Sequence, residues 1–152
     1  MTWEQGKAEV AEALRTRRLQ RVTGGQAVGE GWLEVARRRL ATAKLYGADD
    51  PESAYILAYD AARHALVGVL AHQGLRGTTE GGHLIVEQIT RAQFGAAFAE
   101  FSVLRRRRAE LEYPAFPGEK IEIEELNSAV ASAGRIIDGA EQLLSHLTLF
   151  HD

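Results

Sequence analysis

The chain has 152 residues, 45% of them hydrophobic and 26% charged, which suits one globular domain with a single core. Its 18 Lys and Arg stand against 21 Asp and Glu, a formal charge of -3, so a nucleic-acid surface would have to be a local basic patch. Cys is absent, which excludes disulfides and thiolate metal sites. No uncharged apolar run approaches the roughly 18 residues of a membrane span, and MTWEQGKAEVAEALRTRR carries charge where a signal peptide would be apolar. A cytoplasmic chain without membrane contact is expected.

Only Pro51, Pro114 and Pro117 interrupt the chain, and strand-like alternation is nearly absent, so the predicted class is all-α. Glu4 to Val22 reads as a first, mostly polar helix with a thin stripe of Val10 and Leu14, ended by Thr23-Gly24-Gly25. With so little apolar surface it is expected on the outside of a bundle, on a second subunit, or mobile. Gly29 to Tyr46 follows as a helix burying Trp32, Leu33, Ala36, Leu40 and Ala43, with Gly47 as its stop.

DDPESAYILAYDAARHALVGVLAHQG has proline near its first turn, acids at its start and Gly74 at its exit. It is apolar on most sides, which marks it as the central helix, and its small residues let neighbours come close. LRGTTEGGH is a glycine-marked loop before a short helix from His83 to about Arg91. A further helix is predicted from about Gln93 to Glu112, and a long last one from around Ile123, preceded by a short extended stretch at Ile121 to Glu124.

On the predicted 93–112 helix, Phe94, Ala97, Phe98, Phe101 and Leu104 form one apolar stripe. Arg105, Arg108 and Glu112 continue that stripe, where Leu or Ala would be expected, while Arg106, Glu110 and Tyr113 share another face. Charge on a buried side needs partners, since desolvation costs several kcal/mol per ion. Either the helix leaves the core after Leu104, or these residues line a cleft or subunit seam. Arg105 to Arg108 cover all sides of one turn and suit bidentate phosphate contact on whichever side is open. Without interleaved aromatics, backbone contact is the expected mode.

Other chemistries find little footing. Asp60 lies one turn from both Arg63 and His64, yet a metal site needs a third ligand, and neither HExxH nor a pair of Glu-x-x-His motifs is present. GTTEGGH is not a phosphate-binding glycine loop, and no Ser stands in a GxSxG turn. No metal or cofactor is expected.

Taken in order and spacing, SAYILAYDAARHALVGVLAHQGLR, TTEGGH and LRRRRAELEYP resemble HEPN domains (higher eukaryotes and prokaryotes nucleotide-binding). The resemblance covers about Gly29 to Leu147, leaving residues 1–25 as an N-terminal helical extension to a bundle over 26–152. It implies an antiparallel bundle of four to five core helices that usually dimerises. Many HEPN domains are metal-independent endoribonucleases, and some are toxins paired with nucleotidyltransferase antitoxins. The ribonucleases carry an Arg followed after four to six residues by His. Here that spacing from Arg105 or Arg106 reaches only Glu110, Leu111, Glu112 or Tyr113. The usual imidazole proton carrier is missing from this helix.

The resemblance therefore implies an RNA- or nucleotide-binding homodimer with Arg105, Arg106 and Arg108 toward phosphate and Asp60, Arg63, Glu112 and Tyr113 organising a polar cleft. It further implies the toxin-like half of a two-component module, with Tyr113 in the place of the tyrosine that such antitoxins nucleotidylate. An alternative is a non-catalytic dimeric interaction protein whose cleft arginines make structural ion pairs. A third is an endoribonuclease that uses His83 as proton carrier.

Overall fold

The computed structural model describes residues 3–82, 84–118 and 120–152. Among the described residues, six helices and one small antiparallel ribbon follow in the order α1 (Lys7–Arg15), β1 (Leu19–Arg21), α2 (Glu30–Tyr46), α3 (Pro51–Ala71), β2 (Leu75–Gly77), α4 (Ile85–Phe94), α5 (Phe101–Glu112) and α6 (Ile123–Leu144). The all-α expectation holds, with α3 at the centre against α2, α4, α5 and α6.

The ends of α3 are set by its sequence. The Asp50 carboxylate accepts a hydrogen bond from the Ser53 N–H at 3.2 Å, and Pro51 occupies the first turn, where its missing N–H costs nothing. Gly74 closes the exit at φ 73°. Between them Ala58, Ala61, Ala62, Ala65, Leu66 and Val69 are wholly buried. Their small side chains allow close helix packing, and the large partners come from neighbouring helices, Ile136 and Ile137 of α6 among them. Each fully buried aliphatic of that size contributes about 1.5–3 kcal/mol.

Close approach also explains Gly47, read from the sequence as a helix stop. Its backbone is right-handed, φ -60°, so it does not end α2 by a left-handed turn. A Cβ there would sit 2.8 Å from Leu126 Cδ2, which makes it a contact glycine between α2 and α6.

Two predicted helices are divided in the structure. The first ends at Arg15: Arg17 turns left-handed at φ 61°, and Leu19–Arg21 becomes β1, paired antiparallel with β2 in the register Leu19↔Gly77, Gln20↔Arg76, Arg21↔Leu75. The segment is also more firmly packed than its polarity suggested. Val10, Ala13 and Leu19 join the main core, and Trp3 donates from Nε1 to the Gln93 carbonyl at 2.8 Å. Gln93 in turn exchanges two amide hydrogen bonds with Gln73, at 3.0 and 2.7 Å. Both side chains are buried, so this reciprocal pair satisfies polar groups that would otherwise be costly.

The predicted 93–112 helix breaks at Gly95, φ 62°, passes through a short 3-10 turn at Gly95–Phe98 and restarts at Phe101. Phe98, Phe101 and Leu104 are buried as expected, Phe94 is half-buried and Ala97 is exposed. Glu122 is extended (φ -72°, ψ 151°) where a short extended lead-in to the last helix was expected.

Candidate functional site

Arg105 and Arg108 leave α5 on the side facing α3, one and two turns beyond the buried Phe101. Phe101 stacks on Tyr59 of α3 with ring centroids 5.4 Å apart, and the Arg108 guanidinium lies over the Tyr59 ring, 5.5 Å from its centroid. Cation and ring attract through the ring quadrupole. Arg63, one turn along α3, and Arg105 also act electrostatically on Tyr59. Burial is the largest influence on its phenol and raises its pKa. Arg63 and Arg108 oppose that shift, Asp60 adds to it, and Arg105 opposes it. Three of the arginines singled out by sequence therefore converge on one tyrosine.

Their partners differ. Arg105 donates from Nε to Glu87 Oε2 of α4, a carboxylate whose side chain is only 12% exposed; Arg91 adds a second contact to Glu87 at 3.5 Å. Glu87 thus fixes the inner edge of the Arg105 fork. No acceptor among the described residues engages the two terminal nitrogens of Arg105. Arg108 donates to Glu112 one turn on, while its buried Nε has no hydrogen-bond partner among the described residues. Asp60 and Arg63, one turn apart on α3, do not pair: neither side chain makes an ion pair among the described residues, and both are half-buried.

The remaining predicted residues lie elsewhere. Arg106 is exposed and donates to the Ser102 carbonyl at 3.3 Å. It borders a separate depression with Tyr55, Arg107, Glu110 and Glu125. Arg107 is the most enclosed of the run, its side chain 19% exposed, bonded to Glu125 at 3.2 Å and to Glu110 at 2.8 Å. Tyr113 caps α5 with its N–H on the Ala109 carbonyl at 3.0 Å and is 79% exposed, away from the Tyr59 cluster. His83 lies outside the described residues.

Beyond Arg63 the surface opens into a cleft of about 530 Å³ between α2, α3, α4 and the β1–β2 ribbon. Trp32 and His64 form part of its wall with rings 5.6 Å apart and nearly parallel, at 25°. The bond from His64 Nδ1 goes to the Asp60 carbonyl at 2.6 Å, not to its carboxylate. Burial pushes the His64 imidazole below its ordinary pKa, against the pull of that carbonyl, so the ring is neutral near pH 7 with its proton on Nδ1.

Sequence reasoning missed Tyr59, Glu87 and the Trp32–His64 stack. Glu87 had only a partial sign in the sequence, its place among Ile85, Val86 and Ile89; once it is buried the carboxylate needs a cation, and in the structure Arg91 one turn away is too exposed to be the whole answer. Among the described residues no three His, Cys, Asp or Glu side chains gather to hold a metal. No helix among them is long and apolar enough to cross a membrane.

Comparison with known proteins returned no curated protein and no solved structure that matches. The family model for the HEPN domain does match, over residues 30–143. That span runs from the first residue of α2 almost to the end of α6, takes in every arginine of the Tyr59 cluster and covers well over half of the chain. The chain belongs to the HEPN domain family, whose members have nucleotide- and RNA-related functions.

Proposed function

We propose that this HEPN-family chain binds RNA or a nucleotide through phosphate, at the surface where Arg63, Arg105 and Arg108 surround Tyr59. The observation that carries the reading is a set of donors without acceptors. The half-buried Arg63 has no ion pair among the described residues, and the terminal nitrogens of Arg105 have no acceptor among them; Arg108, bonded to Glu112, adds its charge beside them. Unmatched guanidinium donors at a partly desolvated surface favour an incoming anion, and phosphate accepts from such forks in bidentate fashion. Glu87 holds Arg105 in place for that contact rather than competing for all of it. Arg106, exposed on the next face, extends the basic surface along α5.

The protein acts as a homodimer, with this surface near the seam. Tyr113, exposed at the end of α5, is the residue available to a nucleotidyltransferase partner if the chain is the toxin-like half of a two-component module. Transfer of a nucleotide to Tyr113 would add a negative charge close to the arginine run and oppose RNA there.

The interaction-protein alternative draws on a specific observation as well. Arg105 and Arg107 spend part of their hydrogen bonding on Glu87 and Glu125, as structural arginines would. Electrophoretic mobility shift with labelled single-stranded and structured RNAs, without metal and at two salt concentrations, separates the readings. Phosphate recognition predicts salt-sensitive shifts that vanish in folded Arg63→Glu/Arg108→Glu protein. No binding by the folded wild type favours the interaction protein, whereas unchanged binding by the variant places the RNA elsewhere on the molecule. RNA cleavage in the same lanes would return attention to His83.

A further inference from the structure

The cleft beside Arg63 combines features that the phosphate reading does not use. Trp32 projects from the first turn of α2 and rests on α3 where Gly68 leaves room: a Cβ on Gly68 would come within 2.9 Å of Trp32 Cβ. Gly68 is one helical turn from His64, so the indole extends along α3 onto the imidazole, and the two rings stack. Trp32 nevertheless remains 38% exposed. A large aromatic left partly open on one side of a ring stack is a platform for a third ring.

Asp60 acts on the His64 ring from outside the cleft, but the charged side chains that line the cleft are of one sign. Arg63 and Arg76 both line the cleft, and no carboxylate does among the described residues. Arg76 stands in β2, exposed and without an ion pair among the described residues. Gln26, whose side chain is an amide, also lines the cleft and carries both a donor and an acceptor. At about 530 Å³ the space falls in the range that encloses a small organic ligand. With Nδ1 donating to the Asp60 carbonyl, the neutral His64 ring keeps Nε2 as an acceptor.

We infer that this cleft holds a nucleobase stacked on the Trp32–His64 platform, with the phosphate of the same nucleotide between Arg63 and Arg76. The choice of ligand rests on the nucleotide reading above, but the residues are different: Trp32, His64 and Arg76 belong to neither the arginine run nor the Tyr59 cluster. Arg63 belongs to both surfaces, so a strand with one base in the cleft can continue its backbone toward Arg105. The ligand is then either a free mononucleotide or one nucleotide of an RNA strand.

The test uses tryptophan fluorescence of the full chain carrying Trp3→Phe, which leaves Trp32 as the only tryptophan of the two, with circular dichroism to verify folding. Adenosine 5′-monophosphate, ribose 5-phosphate and a short oligoadenylate RNA are titrated in turn. Saturable quenching by the mononucleotide, absent with ribose 5-phosphate, supports a free nucleotide; quenching by the oligonucleotide alone supports a strand. In either case Trp32→Ala should weaken binding by about tenfold or more, measured by calorimetry in the otherwise wild-type chain. Arg76→Ala should weaken it and flatten its salt dependence. Binding of RNA or nucleotide with unchanged Trp32 emission and full affinity in Trp32→Ala overturns the cleft while leaving the phosphate surface standing. No binding of any of the three probes overturns both.

Discussion

Replacing Arg105 by alanine tests how the arginine run is held. In the folded chain Arg105 faces Glu87, whose side chain is 12% exposed, while its own side chain is 29% exposed. Removing one partner of a fully buried pair costs about 3–5 kcal/mol, because the other charge stays desolvated. Here the expected loss is smaller, about 2 kcal/mol, since Arg91 remains 3.5 Å from Glu87 and Arg105 was not fully desolvated to begin with. For a domain of this size that is a fall in melting temperature of roughly 4–8 °C. Thermal and urea unfolding of Arg105→Ala, Glu87→Gln and the double variant give the coupling directly. The double variant should be more stable than Arg105→Ala, because a neutral amide tolerates the site without a cation. If Arg105→Ala melts within about 1 °C of wild type, or the two changes simply add, Glu87 does not depend on Arg105 and the anchoring argument fails.

Three further expectations follow from the packing and the titrating groups. Gly68→Ala should destabilise by about 1–3 kcal/mol through the overlap with Trp32 and the Gly29 carbonyl; Gly31→Ala, in α2 with open space around it, should stabilise by up to about 1 kcal/mol. Equal responses in unfolding experiments would contradict the close α2–α3 crossing. Burial of Tyr55, with Glu125 and Glu110 adding to it and Arg107 opposing, raises its phenol to about 12. A raised folded-state value means that stability is whole below the unfolded value near 10 and is lost as pH climbs from about 10 toward 12, a loss that Tyr55→Phe should reduce in alkaline unfolding. For His64 the sign is reversed: its folded value is depressed, so its contribution is present above the unfolded value near 6.5 and lost as pH falls through the folded one. The stability advantage of wild type over His64→Asn should therefore shrink between about pH 7.5 and pH 5; an advantage that grows on acidification would contradict a neutral, stacked imidazole.

How much of this was legible beforehand depended on where the determining contacts lie. α3 could be read closely because its limits are local: Asp50 and Pro51 start it, Gly74 ends it, and its composition announces burial on most sides. The first helix misled because its end is set by a left-handed Arg17, a residue with no special liking for that conformation, and by pairing with a strand more than fifty residues away. The apolar spacing from Phe94 to Leu104 runs straight through the break at Gly95, since a 3-10 turn nearly preserves the three-residue recurrence. At the site, the position of Arg105 and Arg108 beyond a buried stripe was visible, and so was their need for partners. The partners themselves, Glu87 on α4 and the Tyr59 ring on α3, are long-range and left no periodic trace. His64 was visible only as a neighbour of Asp60, because its stacking partner Trp32 sits on another helix.

The most direct test of phosphate binding at the Tyr59 cluster is the affinity of the purified protein for a labelled single-stranded RNA as a function of salt, for wild type and for Arg63→Glu/Arg108→Glu. The account predicts that wild-type binding weakens steeply with salt and that the folded variant loses it at every salt concentration. Salt-dependent binding that the variant retains in full would place the RNA elsewhere on the molecule and contradict the assignment.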